Sequence, residues 1–310
     1  MAVLSVVVFH AFPGAIWGGF IGVDVFFVIS GFLISTIIFE NLAQGTFSFT
    51  TFYARRIKRI FPALLLVLAA SLAFGWFALF SQEYQQLGRH IAAGAGFVAN
   101  LVLRGEAGYF DNSAETKPML HLWSLGVEEQ FYIVWPLVVW LAWRLRLRLG
   151  LITLVMAALS FALCVKGVRS DAVAAFYSPL TRFWELLFGT LLAWLMLEGK
   201  KAESPGAGTP WQRLAGFLAG DRRAGHTLSD ALSFGGLLLL VVGFWGIRKS
   251  FSFPGAWALL PVLGATLIIA AGPQAWVNRT LLSHRLAVWF GLISFPLYLW
   301  HWPLLSFARV

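Results

Sequence analysis

Charge is what this chain has least of. Only 12% of its 310 residues are Asp, Glu, Lys or Arg, against about 25% in an ordinary soluble domain, too few to solvate the surface of a water-soluble globule of this length. Cysteine is nearly missing as well. Cys164 stands alone, which excludes a disulfide within the chain and a cysteine metal cluster, and its place in the apolar stretch Leu151–Val165 reads as packing. There is no Gly-rich nucleotide loop, no His-Glu-x-x-His zinc motif and no Gly-x-Ser-x-Gly elbow. Nor is there an internal repeat or a matched pair of broken helices in the two halves, the usual pointer to a secondary transporter.

What fills the chain instead is apolar. Hydrophobic residues make up 59% and aromatics 16%, with mean hydropathy +0.77. These values describe an integral membrane protein. Apolar runs near 1–12, 18–39, 61–80, 131–143, 150–166, 181–197, 230–247, 256–272 and 286–308 approach the roughly 20 residues needed to cross a bilayer. The expected fold is all-α, a polytopic transmembrane helical bundle of about nine to ten spans. Met1–Phe12 is short for a span and has neither a basic leader nor a small-residue cleavage site, so the sequence is expected to lack the start of its first helix.

The net charge of +9 does not point to nucleic acid, because the basic residues cluster between apolar runs. That is the positive-inside pattern. Arg55–Arg59 and Arg144–Arg148 should both face the cytoplasm, so an even number of crossings separates them. Runs 61–80 and 131–143 supply two. The tenth candidate, Leu87–Leu103, is therefore read as an amphipathic interfacial or re-entrant element. Lys200, Lys201, Arg213, Arg222 and Arg223 then fall inside and Arg248–Lys249 falls outside, as the one exception. The inside connection 199–228 carries the low-complexity stretch Ser204–Pro210 and is expected to be flexible.

Ionisable groups drawn into an apolar bundle are costly and are functional candidates. The stretch His121–Tyr132 holds two adjacent carboxylates directly before an apolar run. At about 100° per residue, His121, Ser124 or Leu125, Glu128 and Tyr132 share one helical face, and Glu129 points elsewhere. His10 lies in the first apolar run, where a neutral imidazole can act as a general base. Asp24, in the second, should pair with a basic or imidazole group across the bundle, and the short link between the two runs allows His10 to be that group. Arg56 and Arg59 are spaced i,i+3, well shaped for a phosphorylated cofactor. Arg182 and Glu185 share that spacing and read as a structural pair. His301, between Trp300 and Trp302, reads as an interfacial anchor.

Four motifs stand in order: Val8-Phe9-His10, Gly22 to Gly31, Arg55 to Pro62, and His121 to Tyr132. Together with Arg182–Glu185 and Ser294–Pro303 they resemble the acyltransferase-3 family of integral-membrane O-acyltransferases, along nearly the whole chain. The resemblance implies one membrane acyltransferase domain over 1–310 in the bacterial inner (plasma) membrane, multi-pass. It implies acetyl-CoA as acyl donor from the cytoplasmic side, a lipid bilayer as surroundings, and a cell-envelope glycan as acceptor, of lipopolysaccharide, peptidoglycan or other surface polysaccharide type.

Carried over by position, His10 corresponds to the family's first-helix histidine, Arg56 and Arg59 to its Arg-x-x-Arg element, and Glu128 to the glutamate of its Trp-Ser-Leu motif. The expected catalytic set is His10, Asp24 and Glu128, with Arg56 and Arg59 holding the cofactor. His121, Trp123, Ser124, Tyr132 and His301 are expected on the substrate side, and no metal is expected. Two departures go with it: an arginine or lysine upstream of the histidine is missing from this sequence, and so is the soluble SGNH-like domain that many such members carry. The alternative to an enzyme is a non-enzymatic membrane transporter of glycan or lipid.

Overall fold

A computed structural model describes residues 2–106, 114–202, 226–248 and 250–310. Most of the flexible linker expected within 199–228, Ser204–Pro210 included, lies outside the described residues. Among the described residues the regular elements are all helical: α1 (Ala2–Ala11), α2 (Gly22–Ala43), α3 (Phe49–Ala78), α4 (Ser81–Ala95), α5 (Ala99–Glu106), α6 (Leu122–Arg144), α7 (Leu149–Ser170), α8 (Ala172–Tyr177), α9 (Pro179–Ala202), α10 (His226–Gly246), α11 (Leu259–Ala270), α12 (Arg285–Leu292) and α13 (Ser294–Phe307), with short single-turn helices in some of the connections.

Six of these segments are long and apolar enough to cross a membrane: α2 with the turn before it, α3, α6, α7, α9 and α10. The pair α12 and α13 would make a seventh, bent by 67° at its break. Ala2–Ala11 and Gly255–Ala270 are apolar but shorter. The nine predicted runs thus all fall on helix, and among the described residues six or seven spans meet the length and hydropathy criteria in full. Helices α4 and α5 do not meet the spanning criteria, so an even crossing number separates the two basic segments, as their charge requires. The chain is a multi-pass membrane protein.

Helix α2 is the axis of the bundle. It meets α9 at two glycines: a Cβ on Gly31 would lie 1.9 Å from the Leu186 carbonyl oxygen, and one on Gly189 would lie 2.0 Å from that of Val28. Small residues at a membrane helix contact let backbones approach where lipid supplies no hydrophobic drive. The polar side chains along this seam satisfy one another. Ser35 Oγ lies 2.7 Å from Thr190 Oγ1 and accepts from Trp135 Nε1 at 2.9 Å. Around the axis Phe27, Ile34, Ile38, Phe131, Trp135 and Leu186 form one core, and a second joins α3, α4, α6 and α13 through Leu64, Val67, Leu87, Leu122 and Leu299. Phe74, Trp76, Phe77, Leu159 and Leu238 point outward, as lipid-facing positions should.

The helices α4 and α5 form an amphipathic cap on the outer side. Glu106 ties it down, accepting from His90 Nε2 at 2.8 Å and from Lys117 Nζ at 3.0 Å. Partial burial pushes the Glu106 carboxyl up. The hydrogen bonds and charges of His90 and Lys117 together outweigh that and hold it below the ordinary value.

Candidate active site

The first and last helices bring two histidines together. His10 Nδ1 lies 3.0 Å from His301 Nε2, and the two rings are nearly parallel at 6°. His301 Nδ1 is 2.7 Å from the Tyr298 carbonyl oxygen. A carbonyl only accepts, so His301 carries its proton on Nδ1 and offers a lone pair at Nε2. His10 Nδ1–H then donates to that lone pair, which leaves the lone pair of His10 on Nε2. This tautomer pair follows from the hydrogen-bond pattern.

His121 completes the group, its ring centroid 5.7 Å from that of His301 and 5.4 Å from that of Tyr298. Neither of its ring nitrogens is hydrogen-bonded among the described residues. The Tyr298 hydroxyl donates to the His121 carbonyl at 2.5 Å and sits 2.6 Å from Ser124 Oγ. Since the phenol has one proton, Ser124 is the donor of that second bond. Among the described residues no group of three or more His, Cys, Asp or Glu side chains is placed to hold a metal ion.

His10, His121 and Tyr298 border a cavity of about 570 Å³, lined also by Trp123, Tyr177, Phe253, Lys117 and Arg309. Its rim is built from connections that the charge parity puts outside: Pro13, Glu115, Ala172 and Phe251. The cavity therefore opens on the outer side. Arg309 Nη2 donates to the His10 carbonyl at 2.6 Å, and Trp302 Nε1 donates to that of Lys117 at 2.8 Å, so the last helix clamps the rim to α1.

Nearly two helical turns below His121, about 10 Å at 1.5 Å per residue, lies Glu128. One of its oxygens accepts short hydrogen bonds from Ser30 and Tyr132. The other makes none among the described residues, and Glu128 is among the residues lining a second, smaller void. Arg56 lies over the Tyr132 ring at 4.8 Å, and Arg56 and Arg59 both act electrostatically on Glu128 and Glu129. Glu129 is buried too, with one oxygen lacking a hydrogen-bond partner. A polar column thus runs from the cytoplasmic arginines through Tyr132, Glu128 and Tyr298 to the outer histidines.

Asp24 is not part of that column. The basic group expected across the bundle is Arg182 rather than His10, Nη2 to Oδ1 at 3.2 Å, while Arg182 Nη1 meets Glu185 at 2.9 Å. All three side chains are at most 1% exposed. An uncompensated carboxylate in hydrocarbon is costly, and the Arg182 guanidinium, which also lies against the rings of Phe27, Trp123, Phe176 and Phe253, supplies the counter-ion. Trp123 also walls the outer cavity, so this triad supports the site from behind.

Residues 1–310 match the family model described as "Acyltransferase domain". The "Putative peptidoglycan O-acetyltransferase YrhL" of Bacillus subtilis is 33% identical over 316 residues, 98% of this chain and 47% of that protein. The "Peptidoglycan O-acetyltransferase OatA" of Listeria monocytogenes is 27% identical over 318 residues, 99% of this chain and 48% of that protein. The chain spans about half the length of the curated relatives it matches. No solved structure gives a significant match.

Proposed function

The chain belongs to the acyltransferase-3 family, and we propose that it moves an acyl group, acetyl in the first place, from cytoplasmic acyl-CoA to a hydroxyl of a cell-envelope glycan at the outer face of the bacterial inner membrane. Peptidoglycan is the acceptor class that the names of the relatives favour. The observation that carries the reading is the hydrogen-bonded chain from His10 through His301 to the Tyr298 carbonyl, which holds His10 at the wall of the outer cavity.

Transfer to a hydroxyl needs a group that removes its proton as the oxygen attacks the acyl carbon. The lone pair on His10 Nε2 accepts that proton, and His301 fixes the imidazole as the buried acid fixes the histidine of a hydrolase triad. The thiol of CoA departs as the carbon–sulfur bond breaks. Arg56 and Arg59, on one face of α3 near its cytoplasmic end, suit the phosphates of the donor, since paired guanidiniums bind such groups through two parallel hydrogen bonds. Glu128 and Tyr132 lie between the two ends. Aromatic walls such as Trp123, Tyr177 and Trp302 suit the flat faces of a sugar ring.

The test is His10→Ala in cells, read as base-labile acyl esters on the envelope glycan. A general base of this kind contributes about 10²- to 10⁴-fold, and a loss of that size is expected. Ester levels within twofold of wild type, with the variant present in the membrane, would sink the assignment.

A further inference from the structure

Two cations at the outer end of α7 stand apart from the rest of the chain. Lys166 and Arg169 are exposed and make no ion pair or side-chain hydrogen bond among the described residues. Other cations at the outer ends of the spans are engaged: Arg182 with Asp24 and Glu185, Arg248 over the Trp17 ring at 4.5 Å, and Arg309 with the His10 carbonyl. We propose that Lys166 and Arg169 are a docking site for an anionic phospholipid of the outer leaflet, with its phosphate between the two cations and an acyl chain along the helix below them. Lipid docking there is independent of the transfer reaction proposed above.

Helix α7 starts at the basic inside segment Arg144–Arg148 and leads into α8, whose Ala172, Val173 and Phe176 wall the outer cavity. Its last turns are therefore at the outer surface. Its 22 residues extend about 33 Å at 1.5 Å per residue, slightly more than the roughly 30 Å hydrocarbon core, so Lys166 and Arg169 reach the level of the headgroups. Lysine and arginine are ordinarily in excess on the cytoplasmic side. A pair at the opposite end, without a carboxylate of the chain against it, calls for a counter-ion from the membrane.

The face they occupy is the lipid face. Leu151, Val155 and Leu159 are exposed along α7, whereas Thr153, Ala157 and Cys164 are buried against the bundle. At about 100° per residue, Ala162, Lys166 and Arg169 continue the exposed stripe. Charged groups on a span usually turn inward. These two point away from the protein.

Phe161, Ala162 and Val165 line an open groove on this face that ends at Lys166, Arg169 and Ser170. Carbon surface followed by positive charge, read outward, is the order of an acyl chain and its phosphate. Arginine presents a fork to phosphate oxygens and lysine a point charge. The nearest carboxylate in sequence, Asp171, is committed to α8, its Oδ1 accepting from the Ala174 amide at 2.8 Å. Ser170 Oγ donates to the Gly167 carbonyl at 3.1 Å, which leaves its lone pairs to accept from a headgroup hydroxyl such as phosphatidylglycerol carries.

The test places the full-length protein in phosphatidylcholine vesicles containing a trace of photoactivatable phosphatidylglycerol. After irradiation and proteolysis, the peptides that carry lipid are located by mass spectrometry. Adducts should concentrate within residues 161–170, and unlabelled phosphatidylglycerol should displace them where the same excess of phosphatidylcholine does not. One cation beside anionic lipid is worth about 1 kcal/mol, so Lys166→Gln or Arg169→Gln should each cut this labelling about fivefold and the double variant about 25-fold. The exchange Lys166→Arg with Arg169→Lys keeps both charges and should label like wild type. Three results overturn the proposal: displacement by phosphatidylcholine as readily as by phosphatidylglycerol, undiminished labelling in the double glutamine variant, or equal loss in the variant that keeps the charges. The first would leave only an unselective lipid shell around α7.

Discussion

His10 and His301 are in hydrogen-bond contact at 3.0 Å although 291 positions separate them. The bundle closes its first helix onto its last at this contact, and the candidate base owes its tautomer to a residue from the far end of the chain.

Replacing His301 should therefore damage the reaction without removing the base. His301→Ala is expected to lower kcat by about 10²-fold, the lower end of what general-base catalysis contributes, with little change in the KM for acyl-CoA. His301→Gln, whose amide oxygen can accept from His10 Nδ1, should recover part of that loss. Equal activities for the two variants would show that His301 only fills space.

The cytoplasmic arginines should report on the donor instead. A charge-assisted hydrogen bond is worth about 1.5–3 kcal/mol, so Arg56→Ala or Arg59→Ala should raise the KM for acyl-CoA roughly ten- to a hundredfold. Lysine keeps the charge but not the forked geometry, and should restore only a part. The measurement is initial rate against acyl-CoA concentration, and an unchanged KM in both alanine variants contradicts the docking role.

Helical spacing already aligned His121, Ser124 or Leu125, Glu128 and Tyr132, and i,i+3 spacing already paired Arg182 with Glu185, because both relations are local in sequence. Relations between helices were not legible. The sequence put Asp24 opposite His10 since their helices are adjacent in the chain, whereas Arg182, 158 positions later, holds it by charge. His301 looked like an interfacial anchor because its flanking tryptophans carry that signal. Ser30, the partner of Glu128, was one small hydroxyl in an apolar run. Tyr298 was discoverable in principle, three residues before His301 and on the same helical face. Helix positions were legible from hydropathy, but the bend in the last span was not, since apolar residues continue through it.

The buried triad gives a stability test. Removing one member of a buried ionic group leaves an uncompensated charge, at about 3–5 kcal/mol. Arg182→Ala should thus lower the unfolding temperature in detergent well below that of the triple replacement Asp24→Leu, Arg182→Met, Glu185→Leu, which removes all three ionisable groups together. If the single variant unfolds at the wild-type temperature, the triad is not holding α2 to α9.

Acid should loosen the outer cap. The Glu106 carboxyl titrates below its ordinary value of 4.5 in the folded protein. A depressed acid stabilises above the unfolded value, and that contribution fades as pH falls through the folded one. Hydrogen exchange in α4 and α5 should therefore rise below about pH 4.5 in wild type and be raised already at neutral pH in Glu106→Gln. Identical pH profiles for the two proteins contradict the role given to this carboxylate.

The 67° break between α12 and α13 also has a bearing on distance. The 14 residues of α13 reach only about 21 Å at 1.5 Å per residue, against a hydrocarbon core of about 30 Å. Where a straight span would carry its wall to the cytoplasmic surface, this one turns aside beside Ser294, at the small void. In the proposed reaction, the depth between the end of α13 and the arginines of α3 is what the flexible arm of an acyl-thioester donor would have to span.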